Sequence, residues 1–246
     1  MDSGQGWKAG DVDAGGVRIH YHRTGGNKPP VVLAHGITDN GLCWTRLAHA
    51  LEPEYDLIMV DARGHGDSDK PERGYSPRDH AGDLAAVIRQ LGLDRPAVIG
   101  HSMGAGSAAN LLAAYPGLTA GAVLEDPPWR MPGEENANQN AAAEWAERIE
   151  RRTELARQQL LAEGRADNPL WAEEEFAPWV EAKYKVSPNV VEYVGRNRTP
   201  WTEQVAQFKE PVLLVRGDPE RGGIIGPEQA SQAVALNPLV TVVHLP

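Results

Sequence analysis

The sequence predicts an α/β fold in which helices cover a mostly parallel, doubly wound sheet. Three observations support this class. Six short, continuous apolar segments are bounded by turn residues, which is typical of strands buried on both faces of a parallel sheet. Segments with helical periodicity alternate with them, as parallel crossover units require. The alternation is interrupted once, by a helical segment at 127–209.

The predicted strands follow one another along the chain. The segment 16–25 alternates apolar and polar residues, which predicts a half-exposed antiparallel strand. We expect a buried strand in each of the six apolar segments, which are PPVVLAHG (29–36), YDLIMVDARG (55–64), RPAVIGHS (95–102), TAGAVLED (119–126), EPVLLVRGD (210–218) and PLVTVVHLP (238–246).

Helices are predicted at 45–54, 76–92, 104–117 and 226–238. The second of these has the clearest boundaries. Ser76 can cap its first turn, a proline and early acidic residues follow, and Gly92 ends it. These boundaries favour a helix that connects two strands of the sheet.

The segment 127–209 predicts a helical cap inserted into a core formed by 1–126 and 210–246. It has no clear buried strand, and 135–164 predicts one amphipathic helix. Five tryptophans suit either packing between cap helices or a lid over an apolar substrate pocket; they are Trp129, Trp145, Trp171, Trp179 and Trp201.

Composition narrows the classes of partner. The 246 residues carry a net charge of -10, which disfavours nucleic acid. No apolar run approaches the roughly 18 residues that span a bilayer, and no secretory signal is visible. Cys43 is the single cysteine, so an intrachain disulfide and a cysteine-rich metal site are excluded. We expect a cytoplasmic monomer or homodimer that acts on a small molecule without metal, cofactor, nucleic acid or membrane.

The segment VIGHSMGA (98–105) places Ser102 between two glycines where a predicted strand meets a predicted helix. Gly100 and Gly104 are required because side chains there would collide across a sharp turn. Such a turn exposes the serine hydroxyl and leaves the backbone N–H of Met103 free to bind an oxyanion. The motif therefore predicts Ser102 as a nucleophile.

From about residue 16 onward, the sequence resembles the α/β-hydrolase fold family. The resemblance depends on VVLAHGITDNGLCW (31–44), VDARGHGDSDKP (60–71), VIGHSMGA (98–105) and VLLVRGDPE (212–220). It implies that the loop after His35 carries an oxyanion donor, the N–H of Ile37, opposite that of Met103. It also implies structural rather than catalytic roles for His35 and His65.

A catalytic triad needs an acidic residue that orients the base, and two positions in the sequence are candidates for it. The resemblance implies Glu220, three residues after Gly217, where the family usually has Asp; Asp218 is the fallback. Asp126, after the strand at 119–126, matches the arrangement of some cap-bearing relatives. Glu220 and Asp126 both stay open.

The base is harder to place. The family's histidine follows the last major strand, and here the sequence stops at Pro246. His244 is the one histidine near that position, and we interpret it as a strand residue. We expect His101 to point away from the Ser102 hydroxyl and His80 to lie on the surface or on a helix face. The catalytic histidine is therefore expected beyond residue 246, and the 246-residue polypeptide is expected to be a poor catalyst.

A serine at this turn argues against relatives that open epoxides or displace halides, because those use aspartate. The expected function is hydrolysis of a carboxylic ester or lactone of a medium-sized apolar substrate through an acyl-enzyme. The alternatives are C–C bond hydrolysis, cofactor-free perhydrolysis and a non-catalytic, hydrolase-like ligand-binding protein.

Overall fold

An eight-stranded sheet forms the centre of the computed structural model, which describes residues 6–130, 141–195 and 199–246. Its strands are β1 (Lys8–Asp13), β2 (Arg18–Arg23), β3 (Pro30–Ala34), β4 (Asp56–Val60), β5 (Ala97–His101), β6 (Gly121–Glu125), β7 (Val212–Arg216) and β8 (Val240–His244). They lie in the order β1-β2-β4-β3-β5-β6-β7-β8.

The described helices alternate with the strands along the chain, and five of them come between β6 and β7. They are α1 (Thr45–Leu51), α2 (Pro77–Gln90), α3 (Met103–Ala114), α4 (Ala141–Glu154), α5 (Arg157–Asp167), α6 (Glu173–Tyr184), α7 (Glu192–Gly195), α8 (Trp201–Gln207) and α9 (Pro227–Leu236). Short 3-10 turns occupy Gly41–Trp44, Pro188–Val191 and Pro219–Arg221. No helix in the described ranges is long and apolar enough to cross a membrane.

The predicted α/β class is confirmed by the direction of the strands. Only β1 and β2 run antiparallel to their neighbours, and β3 to β8 are parallel. Every residue of β4 is buried, as a strand covered on both faces must be. Because parallel strands end at the same edge, the loops after β3, β5, β6, β7 and β8 share one side of the molecule.

The predicted cap of α2 is present. The Ser76 side chain accepts a hydrogen bond from the N–H of Asp79, and the Asp79 carboxylate accepts one from the N–H of Ser76. Pro77 opens the helix, where its missing N–H costs nothing. The helix ends at Gln90, and Gly92 adopts a φ of 61° just beyond it.

One strand was missed by the sequence analysis, and one expectation about a helix is wrong. The strand β1 was not predicted, because its sequence KAGDVD is polar and Val12 is its one buried residue. The single helix expected at 135–164 is divided into α4 and α5, and residues 135–140 lie outside the described part. Ala156 has extended backbone angles, which end one helix and start the next.

The described residues between β6 and β7 form α4 to α8 and one 3-10 turn, with no strand among them. Packing explains three of the tryptophans there. Trp129 and Trp201 stack with ring centroids 5.0 Å apart, and both are buried. Trp179 is buried between α5 and α6 beside Leu160. Helix α8 therefore packs with the core around the sheet, whereas α5 and α6 have apolar contacts of their own.

Candidate active site

Ser102 occupies the turn between β5 and α3 with φ 49° and ψ -111°. A positive φ is uncommon for a residue other than glycine and persists only where the surroundings hold it. The Ser102 N–H donates to the Glu125 carbonyl at 2.8 Å, and the Ser102 carbonyl accepts from the N–H of Gly106 at 3.0 Å. Strand β6 and helix α3 thus hold the serine from both sides.

The two flanking glycines are required by close backbone contacts. A Cβ at Gly104 would lie 2.0 Å from the carbonyl oxygen of Ala34 and 2.8 Å from that of His35. A Cβ at Gly100 would lie 2.5 Å from the carbonyl carbon of Gly104. Helix α3 therefore starts directly against the end of β3, as the glycine spacing predicts.

Two backbone N–H groups near Ser102 are available to an anionic oxygen. Met103 is the first residue of α3, so its N–H has no acceptor within the helix. The N–H of Ile37 donates to no acceptor in the part of the chain that the structure describes. Ala34 pairs with Gly100, which puts the loop after β3 beside the Ser102 turn.

His35 and His65 are buried and hold the loops after β3 and β4. His35 Nε2 accepts from the N–H of Ala62 at 3.0 Å, and His65 Nε2 accepts from the N–H of Thr38 at 3.3 Å. The Nδ1 atoms donate to the carbonyls of Gly36 and of Arg63. Burial lowers the pKa of both imidazoles, which keeps them neutral. These contacts agree with the structural roles that the resemblance implies.

Asp126 lies one strand away from Ser102, directly after β6. Neighbouring strands are about 4.8 Å apart, so the two residues are close along the sheet edge. Asp126 has a φ of 48°, which aspartate tolerates better than most residues. Its carboxylate accepts hydrogen bonds from the N–H of Ile224 at 2.8 and 2.9 Å and from the N–H of Ile225 at 2.9 Å. The loop after β7 therefore orients this side chain.

Glu220 lies two strands away from Ser102, in the exposed 3-10 turn after β7. Its carboxylate makes no hydrogen bond with any residue in the described ranges. Asp218 instead pairs with His244, with Nε2 and Oδ1 2.5 Å apart. Of the three candidate acids, only Asp126 follows the strand next to Ser102.

His244 is the last residue of β8, which confirms its interpretation as a strand residue. Three strand spacings, about 14 Å, separate β8 from β5, further than an imidazole side chain reaches. His101 lies against the loop after β3, since a Cβ on Gly36 would be 2.8 Å from its Nδ1. No histidine in the described ranges is hydrogen-bonded to Ser102.

His80 lies on a face of α2, one of the two positions expected for it, but that face is buried rather than at the surface. The reason is that α2 packs along α3, which brings His80 to a cavity of about 20 Å³ behind Met103 and Ser107. Its Nε2 makes no hydrogen bond with any described residue. Burial lowers the pKa of His80 to about 3, and the nearby Arg63 guanidinium adds to the shift.

The buried histidines predict acid sensitivity. His80 has a pKa of about 3 when folded and 6.5 when unfolded, so the unfolded chain binds the proton first as the pH falls. Between about pH 6.5 and pH 5, above the range of most carboxylates, His80 is expected to lower the free energy of unfolding by about 1 kcal/mol per pH unit. Denaturant unfolding of wild type and His80→Gln at several pH values measures this. Equal slopes in the two proteins would contradict it.

The described ranges contain no cluster of three or more His, Cys, Asp or Glu side chains placed to hold a metal ion. The site that they do form consists of a serine on a strained turn after β5, free N–H groups on two adjoining loops and a carboxylate after β6. The mostly parallel sheet and the serine turn between β5 and α3 are those of the α/β-hydrolase class. The family profile described as alpha/beta hydrolase fold matches residues 29–245, and the chain belongs to that family.

Two kinds of hydrolase are similar to this chain. The chain is 30% identical to N-formylmaleamate deformylase of Pseudomonas putida over 242 residues, which cover 96% of this chain and 87% of that protein. It is 39% identical to 2-(acetamidomethylene)succinate hydrolase of Mesorhizobium japonicum over 115 residues, but that match spans only 41% of the relative's length and 47% of this chain. A crystal structure of E-2-(acetamidomethylene)succinate hydrolase superposes with a TM-score of 0.82 at 25% identity, covering 98% of this chain and 91% of that one.

Proposed function

We propose that this protein is a serine hydrolase that transfers an acyl group from its substrate to Ser102 and then to water. The observation that carries the proposal is the Ser102 turn, with φ 49° at the N-terminus of α3. Such a strained position exposes a hydroxyl next to the positive end of a helix, where negative charge is stabilised. A serine with a purely structural role does not need this backbone conformation.

In the proposed reaction, Ser102 Oγ attacks the carbonyl carbon of the substrate while a base removes the hydroxyl proton. The carbonyl oxygen becomes an oxyanion that accepts hydrogen bonds from the N–H groups of Ile37 and Met103. The leaving group departs with the proton from the base. Water then attacks the acyl-enzyme, and Ser102 regains its proton.

We assign the triad acid to Asp126 rather than Glu220. Two backbone N–H groups hold the Asp126 carboxylate, that of Ile224 shared between both oxygens and that of Ile225, and the carboxylate still has a lone pair for the N–H of an imidazole. Its place after the strand next to β5 supports the same role. The proposed base is the histidine that the resemblance implies after β8.

The proposed substrate is a carboxylic ester or lactone with an apolar acyl part of medium size. An apolar cluster supports this choice. It lies beside the loop after β3 that carries the proposed oxyanion donor Ile37, the oxyanion loop, and it combines core and cap residues around Ile37. Its members are Ile37, Tyr75, Ile149, Val186, Val190 and Val191.

A second candidate is a short N-acyl amide. The alignment with N-formylmaleamate deformylase over 96% of this chain favours it. Formyl transfer to Ser102 would use the same oxyanion donors and differ only in the leaving nitrogen. C–C bond hydrolysis, perhydrolysis and ligand binding without catalysis stay as alternatives.

A fluorophosphonate probe tests the proposed nucleophile, since it labels only an activated serine. In a polypeptide that includes the proposed base histidine, we expect mass spectrometry to find the adduct on Ser102 and no adduct in Ser102→Ala. Ser107→Ala is the matched control, because Ser107 lies on the same helix but donates its hydroxyl to the Met103 carbonyl. Initial rates with nitrophenyl esters, lactones and N-formyl amides then rank the substrates. Absence of labelling in the wild type would contradict the proposed function and favour the ligand-binding alternative.

A further inference from the structure

Lys183 is a buried cation that the proposed mechanism does not use. It lies near the end of α6, in the helical segment after β6, and is 2% exposed. A lysine is almost never buried to this degree unless its ammonium group is fully paired. Its partners therefore indicate what it does.

All three protons of the Lys183 ammonium group have acceptors in the loop after β3. Nζ lies 2.9 Å from the carbonyl oxygen of Thr38, 3.1 Å from its Oγ1 and 2.8 Å from Oδ1 of Asp39. The ring of Trp179, one turn earlier on α6, lies 4.7 Å from Nζ and adds a cation–π contact. The lysine joins α6 to this loop and has no donor left for a substrate.

The contacted residues directly follow Ile37. Thr38 has a φ of 71°, a conformation that a β-branched residue adopts only when its surroundings hold it. Its N–H donates a hydrogen bond to Nε2 of His65. Burial acts to raise the pKa of Asp39, but the Lys183 ammonium outweighs this effect and holds that pKa below its usual value. Lys183 therefore faces a charged carboxylate.

From this geometry we propose that Lys183 is a positioning residue, which holds the loop at Thr38 and Asp39 so that the N–H of Ile37 faces the oxyanion. Its contribution to catalysis depends on the proposed function, whereas its ordering of the loop does not. Lys183 also makes the oxyanion loop dependent on the position of α6. Movement of that helix away from the core would release the loop.

The experiment compares Lys183→Met with Lys185→Met. Lys185 is the matched control, because it lies two residues along the chain and pairs with a single carboxylate, Asp67, but is about half exposed. Hydrogen exchange followed by mass spectrometry measures the exchange rates of the backbone amides at 36–40. The variants are compared under conditions in which the same fraction of each is folded. We expect exchange there to be about tenfold faster in Lys183→Met and unchanged in Lys185→Met.

Fluorophosphonate labelling of Ser102 gives the second measurement, because the phosphoryl oxygen needs the oxyanion donors. We expect the saturating rate constant to fall about 10- to 100-fold in Lys183→Met, with the apparent affinity of the probe unchanged. A structural role without positioning would lower the folded fraction but leave this rate constant per folded molecule unaltered. Asp39→Asn removes the charge that pairs with Lys183 at constant side-chain size, and we expect it to show a smaller change in the same direction. Asp39→Asn replaces Lys183→Met in both measurements if the lysine variant does not fold.

Two results would overturn the proposal. One is equal exchange at 36–40 in the Lys183 and Lys185 variants. The other is faster exchange with an unchanged labelling rate constant. If wild-type Ser102 is not labelled at all, the proposed function fails, and the exchange comparison still decides whether Lys183 orders the loop.

Discussion

In a polypeptide that includes the proposed base histidine, replacing Asp126 with asparagine is expected to lower kcat/KM for an acyl substrate about 10³- to 10⁴-fold, the size of effect expected when the triad acid is lost. Asparagine keeps an oxygen that can accept from the N–H groups of Ile224 and Ile225, so the loop after β7 should stay in place. It loses the charge that stabilises the protonated base. The rate, rather than the fold, should therefore change.

Glu220→Gln is the matched control for Asp126→Asn. Glu220 is exposed, and we expect its amide variant to stay within about twofold of wild type, as surface changes usually do. Steady-state kinetics with one ester substrate and thermal unfolding of both variants make the comparison. A large loss in Glu220→Gln with little change in Asp126→Asn would reverse the assignment of the acid.

Gly104→Ala is expected to have the largest effect on stability. Its Cβ would lie 2.0 Å from the backbone oxygen of Ala34, and no rotamer change relieves a collision with backbone. Helix α3 and the end of β3 would have to separate, at a cost of about 3 kcal/mol in the free energy of unfolding. The same separation would displace the Ile37 and Met103 N–H groups. Denaturant unfolding measures the first effect, and Ser102 labelling measures the second.

Gly82→Ala provides the control for that substitution. Gly82 is also helical, in α2, but the nearest atom to its Cβ position is the Tyr115 hydroxyl oxygen at 3.9 Å. Alanine there should raise the free energy of unfolding by about 0.5 to 1 kcal/mol, because it restricts the unfolded chain and favours the helix. If both variants were equally stable, the close contact with Ala34 would not be the reason that position 104 requires a glycine.

Much of the secondary structure could be predicted because the patterns that indicate it lie within a few consecutive residues. Buried parallel strands appear as short apolar runs, and the cap of α2 is contained in four consecutive residues. The Ser102 turn is equally local, since two glycines at fixed spacing define it. The strand β1 was missed for the same reason, because a polar edge strand carries no apolar signal.

Lys183 could have been suspected from its spacing. It lies three and four residues after Val180 and Trp179, which puts a lysine on the buried face of α6. Nothing local identifies its partner, however, because Thr38 and Asp39 precede it by more than 140 residues. Contacts of such sequence separation depend on how the helical segment packs on the sheet.

By itself, the sequence determined the α/β class, the Ser102 turn and a short list of acids. The tertiary structure alone supports our proposal of Asp126 rather than Glu220 as the acid, because strand order places β6, and not β7, next to β5. It also separated His244 from Ser102 and buried Lys183 and His80. The physical reason is that strand order and helix packing bring together side chains that are far apart in sequence. Apolar periodicity and glycine spacing depend only on residues that are close together in sequence.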